Sequence, residues 1–532
     1  MKPMRSSTNL STLILFLLAF CLSSLHSQVI PEPVAGESIY SFLDELAADG
    51  IIGFNQAVKP YSRKMISSLL DEAAGHREEM TSRQKKELEF FMTSFGMKTE
   101  PGKMKLVYNP ATAQYRDSMF NLTVSPILGI SYSTDGSIAW KNGAKAYGSY
   151  GKWGFFAALQ DNHQDPLLGS PEYLTRERGG HIKNGTDFSE MTGGASYMWK
   201  WGDVSFLKDT PVWGSGYAGT NILSGRAPSF MQIKLHLKPA EWFEMTWLYG
   251  WLNSMVVDSA RSYWVTNSYG LDYREVYHTK YISTNLFTFT PFHRFNISVG
   301  NSVVWSDPRL SPYYLMPLFF YKSVDHGMNS GIDNNNAQMF IDISSHNIRH
   351  LHLYGTLFID ELSTERFSTS DYNFFSWKGG ARAGNFSFLP NLWLTAECTF
   401  TYPLTFQHYV PTITFENQGY NMGHWLRDNS RSWWFALDYK PIRGMNIRLW
   451  HERSERGPDY QSIGGDRIGL PYLETIEWSN ISSGLEIRYL ITGAVQVKAA
   501  LIKSDIQGEE SWTAPHLYGQ HTTFSGGLVW GF

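Results

Sequence analysis

From about Met119 to its last residue the chain alternates apolar and polar side chains with a period of two. Met231, Ile233, Leu235 and Leu237 lead into a short turn at 238–241, and Phe243, Met245, Trp247, Tyr249 and Trp251 lead away from it. Their opposite face carries Gln232, Lys234, His236, Glu244 and Thr246. Likewise Trp433, Phe435, Leu437 and Tyr439 precede a turn at 440–444, and Met445, Ile447 and Leu449 follow it. Asp438, Asn446, Arg448 and Glu452 lie on the other face. Side chains on a strand point alternately to its two faces, so each hairpin has one apolar and one charged surface. An apolar outside around a charged inside reverses a soluble barrel and suits a barrel set in lipid around a polar lumen.

Comparable turns fall near Lys152, Gly202, Ala240, Phe292, Asn347, Pro390, Ile442 and Thr492. The interval between neighbouring turns holds two strands and a longer connection, as a membrane hairpin with one short and one long end requires. Adding a first strand near 120–132 and a last near 520–532 predicts an all-β transmembrane β-barrel of about eighteen antiparallel strands. Trp153, Trp199, Trp201, Trp242, Phe243, Phe292, Phe295, Trp393, Tyr439 and Tyr489 crowd the short turns and predict an aromatic girdle at the periplasmic interface. Outward-facing connections are expected at 161–190, 252–280, 305–336, 401–430 and 453–479.

The first residues predict a signal peptide, 1–27: Lys2 and Arg5, an apolar run within 10–22, then Leu25-His26-Ser27 before Gln28. Residues 28–104 are expected to form a small α-helical periplasmic domain, with helices at 38–48, 62–74 and 81–95. Thr81 and Gln84 are spaced as a capping box, and the barrel takes 105–532. Cleavage would leave Cys398 as the one cysteine, so no internal disulfide staples the fold. Lys+Arg 45 against Asp+Glu 49 argues against a nucleic-acid binder.

The long connections mix acids, amides, guanidinium groups and aromatics. Planar polar groups pair with adjacent sugar hydroxyls, and aromatic faces stack on sugar C–H surfaces. The glycan-binding candidates are Trp213, Trp305, Asp307, Arg309, Asp325, His326, Asn334, Asn336, His451, Glu452 and Arg453. Exposed connections are polar in any case, and a Gly-flanked Trp213 also suits a tight inward-folding loop. Lys234, Arg448, Arg488 and Lys498 are expected to face the lumen, where opposite charges on neighbouring strands pair. Asp325-His326, Asp360-Glu361 and His163 with Asp161 and Asp165 are the nearest approaches to a catalytic set. None matches a nucleophile, Walker or metal-ligand motif. The reading is therefore non-enzymatic, with no cofactor and no metal.

Lys208-Asp209-Thr-Pro-Val-Trp213-Gly214-Ser-Gly216 and Asn221-Ile-Leu-Ser224-Gly-Arg226-Ala227-Pro228 resemble segments of the Wzi family of outer-membrane capsule-assembly proteins. Asn336-Ala-Gln338 with Asp342, Tyr354-Gly355 and Asp360-Glu361 is similar to a later stretch of that family. Tyr40-Ser-Phe-Leu43, Gly50-Ile51 and Pro60-Tyr61-Ser62-Arg63 are similar to its start. Ser215 stands where the family more often has proline. The resemblance implies a non-catalytic protein of a Gram-negative outer membrane that binds or anchors capsular or surface polysaccharide. Its other implied partners are outer-membrane lipid and lipopolysaccharide, and the barrel-insertion machinery, through a last strand ending in Phe532. A channel for small solutes or oligosaccharides, or a barrel anchoring a secretion or envelope machine, are the alternatives.

Overall fold

In the computed structural model, residues 29–34, 38–96, 102–180, 182–268, 270–307, 311–328, 332, 334–364, 373–460 and 470–531 are described. The expected signal peptide, Arg309 and Phe532 lie outside them. Eighteen antiparallel strands close a barrel. In chain order they are β1 (Phe120–Ser133), β2 (Ile138–Tyr150), β3 (Trp153–Asp165), β4 (Asp187–Trp199), β5 (Gly202–Asp209) and β6 (Phe230–Ala240). Next come β7 (Phe243–Val257), β8 (Tyr277–Phe292), β9 (Phe295–Trp305), β10 (Asn335–Ser345), β11 (Leu351–Glu361) and β12 (Phe374–Phe386). The last six are β13 (Leu389–Thr401), β14 (Ser430–Tyr439), β15 (Met445–Arg456), β16 (Trp478–Thr492), β17 (Val495–Gly508) and β18 (Gly519–Trp530). β18 pairs with β1 through Trp530↔Leu128 and Leu528↔Ile130, which leaves no edge.

All eight short turns fall where the alternation placed them. Register then lines up the two faces. Ala383, Leu394, Leu437, Leu449, Leu485, Leu501 and Phe524 are successive cross-strand partners. Leu394, Leu449, Leu485, Leu501 and Phe524 are exposed on the outer wall, and Leu437 is half-buried among them. One residue away, Trp393, Asp438, Arg448 and Glu486 form an inward row. Trp393 is thus no girdle residue: it is buried in the lumen beneath the Arg382 guanidinium.

Three helices precede the barrel, α1 (Ser38–Ala48), α2 (Arg63–Gly75) and α3 (Ser82–Phe95). The Ser62 hydroxyl caps α2, and Thr81 with Gln84 completes the capping box of α3. Their apolar stripes pack on one another around Phe42, Leu43, Leu46, Ile66, Leu70, Leu88 and Phe91. The bundle caps the short-turn end. Asp49 meets His350 at 2.8 Å and Asn385 at 2.6 Å, and Glu45 takes the Lys440 ammonium at 2.8 Å. No helix among the described residues is long and apolar enough to cross a membrane.

Candidate functional site: a barrel filled by its own connections

Several connections do not project outward. Residues 210–229, between β5 and β6, and 402–429, between β13 and β14, fold into the lumen. The first was not expected as a long loop, and the second was expected outside. Trp213, Ile222, Leu223, Phe406, Ile413, Phe415, Tyr420 and Met422 form one buried apolar cluster with inward Leu248, Ile282, Leu286, Val304, Phe340 and Phe358. That side of the lumen is therefore apolar, where the alternation predicted a polar one. The wall residues bury their side chains against the filling loops and not against water.

The filling is tied at both ends. Val58–Lys59 pairs with Val212–Trp213, and the Gly214 N–H donates to Ala57 O at 2.8 Å, so the 210–229 loop is joined to the strand that follows α1. Gly214, at φ +99°, lets the chain reverse there. Beyond it the Ser215 N–H and hydroxyl donate to Asp342 at 2.7 and 2.9 Å. A proline at 215 has neither donor, so the serine is what ties the loop to Asp342 at this point.

Glu397 on β13 is the main anchor. Its carboxylate accepts the Ala218 N–H at 2.9 Å, the Lys378 ammonium at 2.9 Å, the Tyr217 N–H and the Tyr354 hydroxyl. Tyr217 also meets His352 at 2.8 Å and lies under Arg382; burial pushes its phenol well above the ordinary range. The two loops hold each other through Asn417 Nδ2 to Pro228 O, 3.0 Å, and the Ser224 N–H to Met422 O, 2.8 Å. A third connection, 166–186, adds Arg176, bidentate to Glu452 at 2.6 and 2.9 Å and stacked on Trp425. Within 402–429, Asp428 accepts the Phe406 N–H at 2.8 Å, and burial raises its carboxyl to about 7. Below Trp213, between barrel and helices, lies a cavity of about 580 Å³ lined by Lys59, Lys64, Lys234, His236, Asp203 and Glu244.

The ten glycan candidates among the described residues are dispersed. Trp213, Asn336 and Glu452 are buried in the filled lumen, where Asn336 donates to Ile413 O and Glu452 holds Arg176. Trp305 is buried on the outer wall between Tyr281 and Tyr314. His451, Glu452 and Arg453 belong to β15 and not to the connection after it. His451 faces outward and bonds Ser483 at 2.9 Å, and Arg453 bonds Glu455 at 2.6 Å. Asp307 and Asp325 are half-buried, Asp325 accepting from Asn335 at 2.7 Å, and His326 and Asn334 are exposed. Of the lumen candidates, Lys234 lines the cavity, Arg448 pairs with Asp438 at 2.8 Å and Arg488 with Glu486 at 2.9 Å. Lys498 stands opposite Arg488 in register.

The catalytic approaches are also engaged structurally. His163 bonds Asp187 at 2.6 Å and stacks on Trp140, and Asp360 accepts from Gln338 at 3.2 Å. Glu397, Lys378, Tyr217, Arg382 and Arg176 escaped the sequence reading. The period-two pattern puts Glu397 on the polar face, but nothing local reports a loop arriving opposite it.

Fold and filling define an eighteen-stranded membrane-type barrel with a short-turn helical cap and an obstructed lumen. Among solved structures the chain is similar to Wzi, described as an outer-membrane protein involved in group 1 capsule assembly in Escherichia coli and as a carbohydrate-binding β-barrel. The TM-score is 0.58 at 13% identity, over 95% of this chain and 99% of that one. The resemblance read from the sequence therefore holds at the level of fold. Pseudomonas aeruginosa OprD aligns with a TM-score of 0.42 at 9% identity, over 77% of this chain and 94% of that one. No family model and no curated protein matches the chain.

Proposed function

We propose that this is a non-catalytic outer-membrane protein of a Gram-negative bacterium that binds or anchors surface polysaccharide and helps assemble it into capsule. The filled lumen carries the reading. Three connections cross-linked to the wall and to one another occupy the space a diffusion channel needs, which leaves the outer end as the working surface. The likeness to Wzi supports the same direction through the fold. The apolar wall would meet outer-membrane lipid and lipopolysaccharide, the last strand the insertion machinery, and the helical cap the periplasm.

The test is a titration of the detergent-purified barrel with polysaccharide from the source bacterium, beside an Asn334→Ala variant. Saturable binding weakened about tenfold in the variant, equivalent to ~1.4 kcal/mol, is the expected result. A folded barrel that binds no glycan but shows a large steady conductance in planar bilayers would replace this reading with the channel.

A further inference from the structure

In the connection between β9 and β10, residues 311–328 lie on the outside of the barrel wall. They include the helix α4 (Tyr321–Met328). Tyr314 and Tyr321 are buried against outward-facing Met245, Trp247, Tyr249 and Trp305, on the side of the wall opposite the lumen filling. The wall is unusual beneath this segment. Ser283 and Asn285 on β8 and Asn301 on β9 face outward, in register with apolar neighbours such as Trp247 and Tyr249.

These polar side chains hold the backbone of the segment. Asn285 donates to Pro317 O and Phe319 O, both at 2.9 Å, and Asn301 Oδ1 accepts the Tyr321 N–H at 2.7 Å. Ser283 donates to Tyr314 O at 2.7 Å. The far side of the segment is apolar: Met316, Leu318, Phe319 and Phe320 are exposed, Leu318 to 70%.

The height of this contact indicates what covers it. Asn301 is six residues along β9 from Phe295 at the short-turn end. At a rise of ~3.3 Å per residue and a tilt of ~40°, that is roughly 15 Å above the turn, inside an apolar band roughly 25 Å tall. Irregular backbone at that depth needs its polar groups satisfied by protein, and the Ser283–Asn285–Asn301 notch supplies those partners. In water, four neighbouring large apolar side chains would be left bare. The geometry points to residues 311–328 as a membrane-embedded belt whose outer face binds the acyl chains of outer-leaflet lipid.

The test uses Leu318→Cys in a Cys398→Ser background, labelled with an environment-sensitive fluorophore and reconstituted into phosphatidylcholine vesicles doped with chain-doxyl lipid. Leu485→Cys on the bare outer wall reports lipid, and Thr266→Cys in the exposed 263–274 hairpin reports water. The expected result is doxyl quenching at Leu318 matching that at Leu485, with iodide quenching at Thr266 alone. Iodide quenching at Leu318 while Leu485 still senses lipid would overturn the belt. Loss of lipid quenching at Leu485 as well would overturn the membrane reading beneath it. Asn285→Leu with Asn301→Leu should release the segment and raise iodide quenching at Leu318 several-fold. An unchanged signal would overturn the notch as its anchor.

Discussion

Ser215 and Asp342 are joined twice, by the backbone N–H at 2.7 Å and the hydroxyl at 2.9 Å, which pins the 210–229 loop to β10. Ser215→Ala removes one donor and is expected to lower stability by about 1 kcal/mol. Ser215→Pro removes both and leaves Asp342 with Thr356 at 2.7 Å as its remaining hydrogen-bond donor in this contact, a loss of at least ~2 kcal/mol. Urea unfolding in detergent, comparing the two variants, measures the difference.

Glu397 receives both the loop and the Lys378 ammonium, each buried. Glu397→Ala strands that cation and two loop N–H groups, and breaking a buried pair from one side typically costs about 3–5 kcal/mol. The expected readout is a lower urea midpoint together with conductance bursts in planar bilayers that the parent barrel lacks. Lys378→Met with Glu397→Leu should recover part of the stability, because no charge is left unpaired.

Asp428 predicts a pH dependence. Its folded carboxyl is raised to about 7 by burial, against an ordinary 3.8. Between those values the folded chain holds a proton that the unfolded chain has released. Stability therefore falls as pH rises from about 4 to about 7, by at most about 1.4 kcal/mol per pH unit. Asp428→Asn should remove that slope. The comparison is made as parent minus variant, because His346, lowered to about 3 by burial, contributes with the opposite sign between there and its ordinary 6.5.

Lys440 in the β14–β15 turn holds the buried Glu45 of α1 and the Ser41 hydroxyl at 3.0 Å. Lys440→Met leaves Glu45 with Arg83 and Gln84, both within the bundle. Docking of the bundle should weaken by about 1–3 kcal/mol while the barrel stays closed. Faster limited proteolysis within 38–96, with an unchanged strand signal in circular dichroism, is the expected outcome.

The sequence by itself determined the barrel. A strand of period two has only two faces, so a run such as Phe243, Met245, Trp247, Tyr249 and Trp251 declares its outer wall without reference to anything distant. The helix cap at Thr81 was legible for the same reason, since a cap is satisfied within three residues. What only the tertiary structure decided is where the connections go. Trp213 could fill a lumen or meet a ligand, and Trp305 could crown a loop or lie beneath one. The choice rests on partners more than a hundred residues away, Ala57 and Phe340 for Trp213, and on how Tyr314 folds back for Trp305. Loop placement follows from burial and hydrogen bonds made after the barrel closes, and no local periodicity records those contacts.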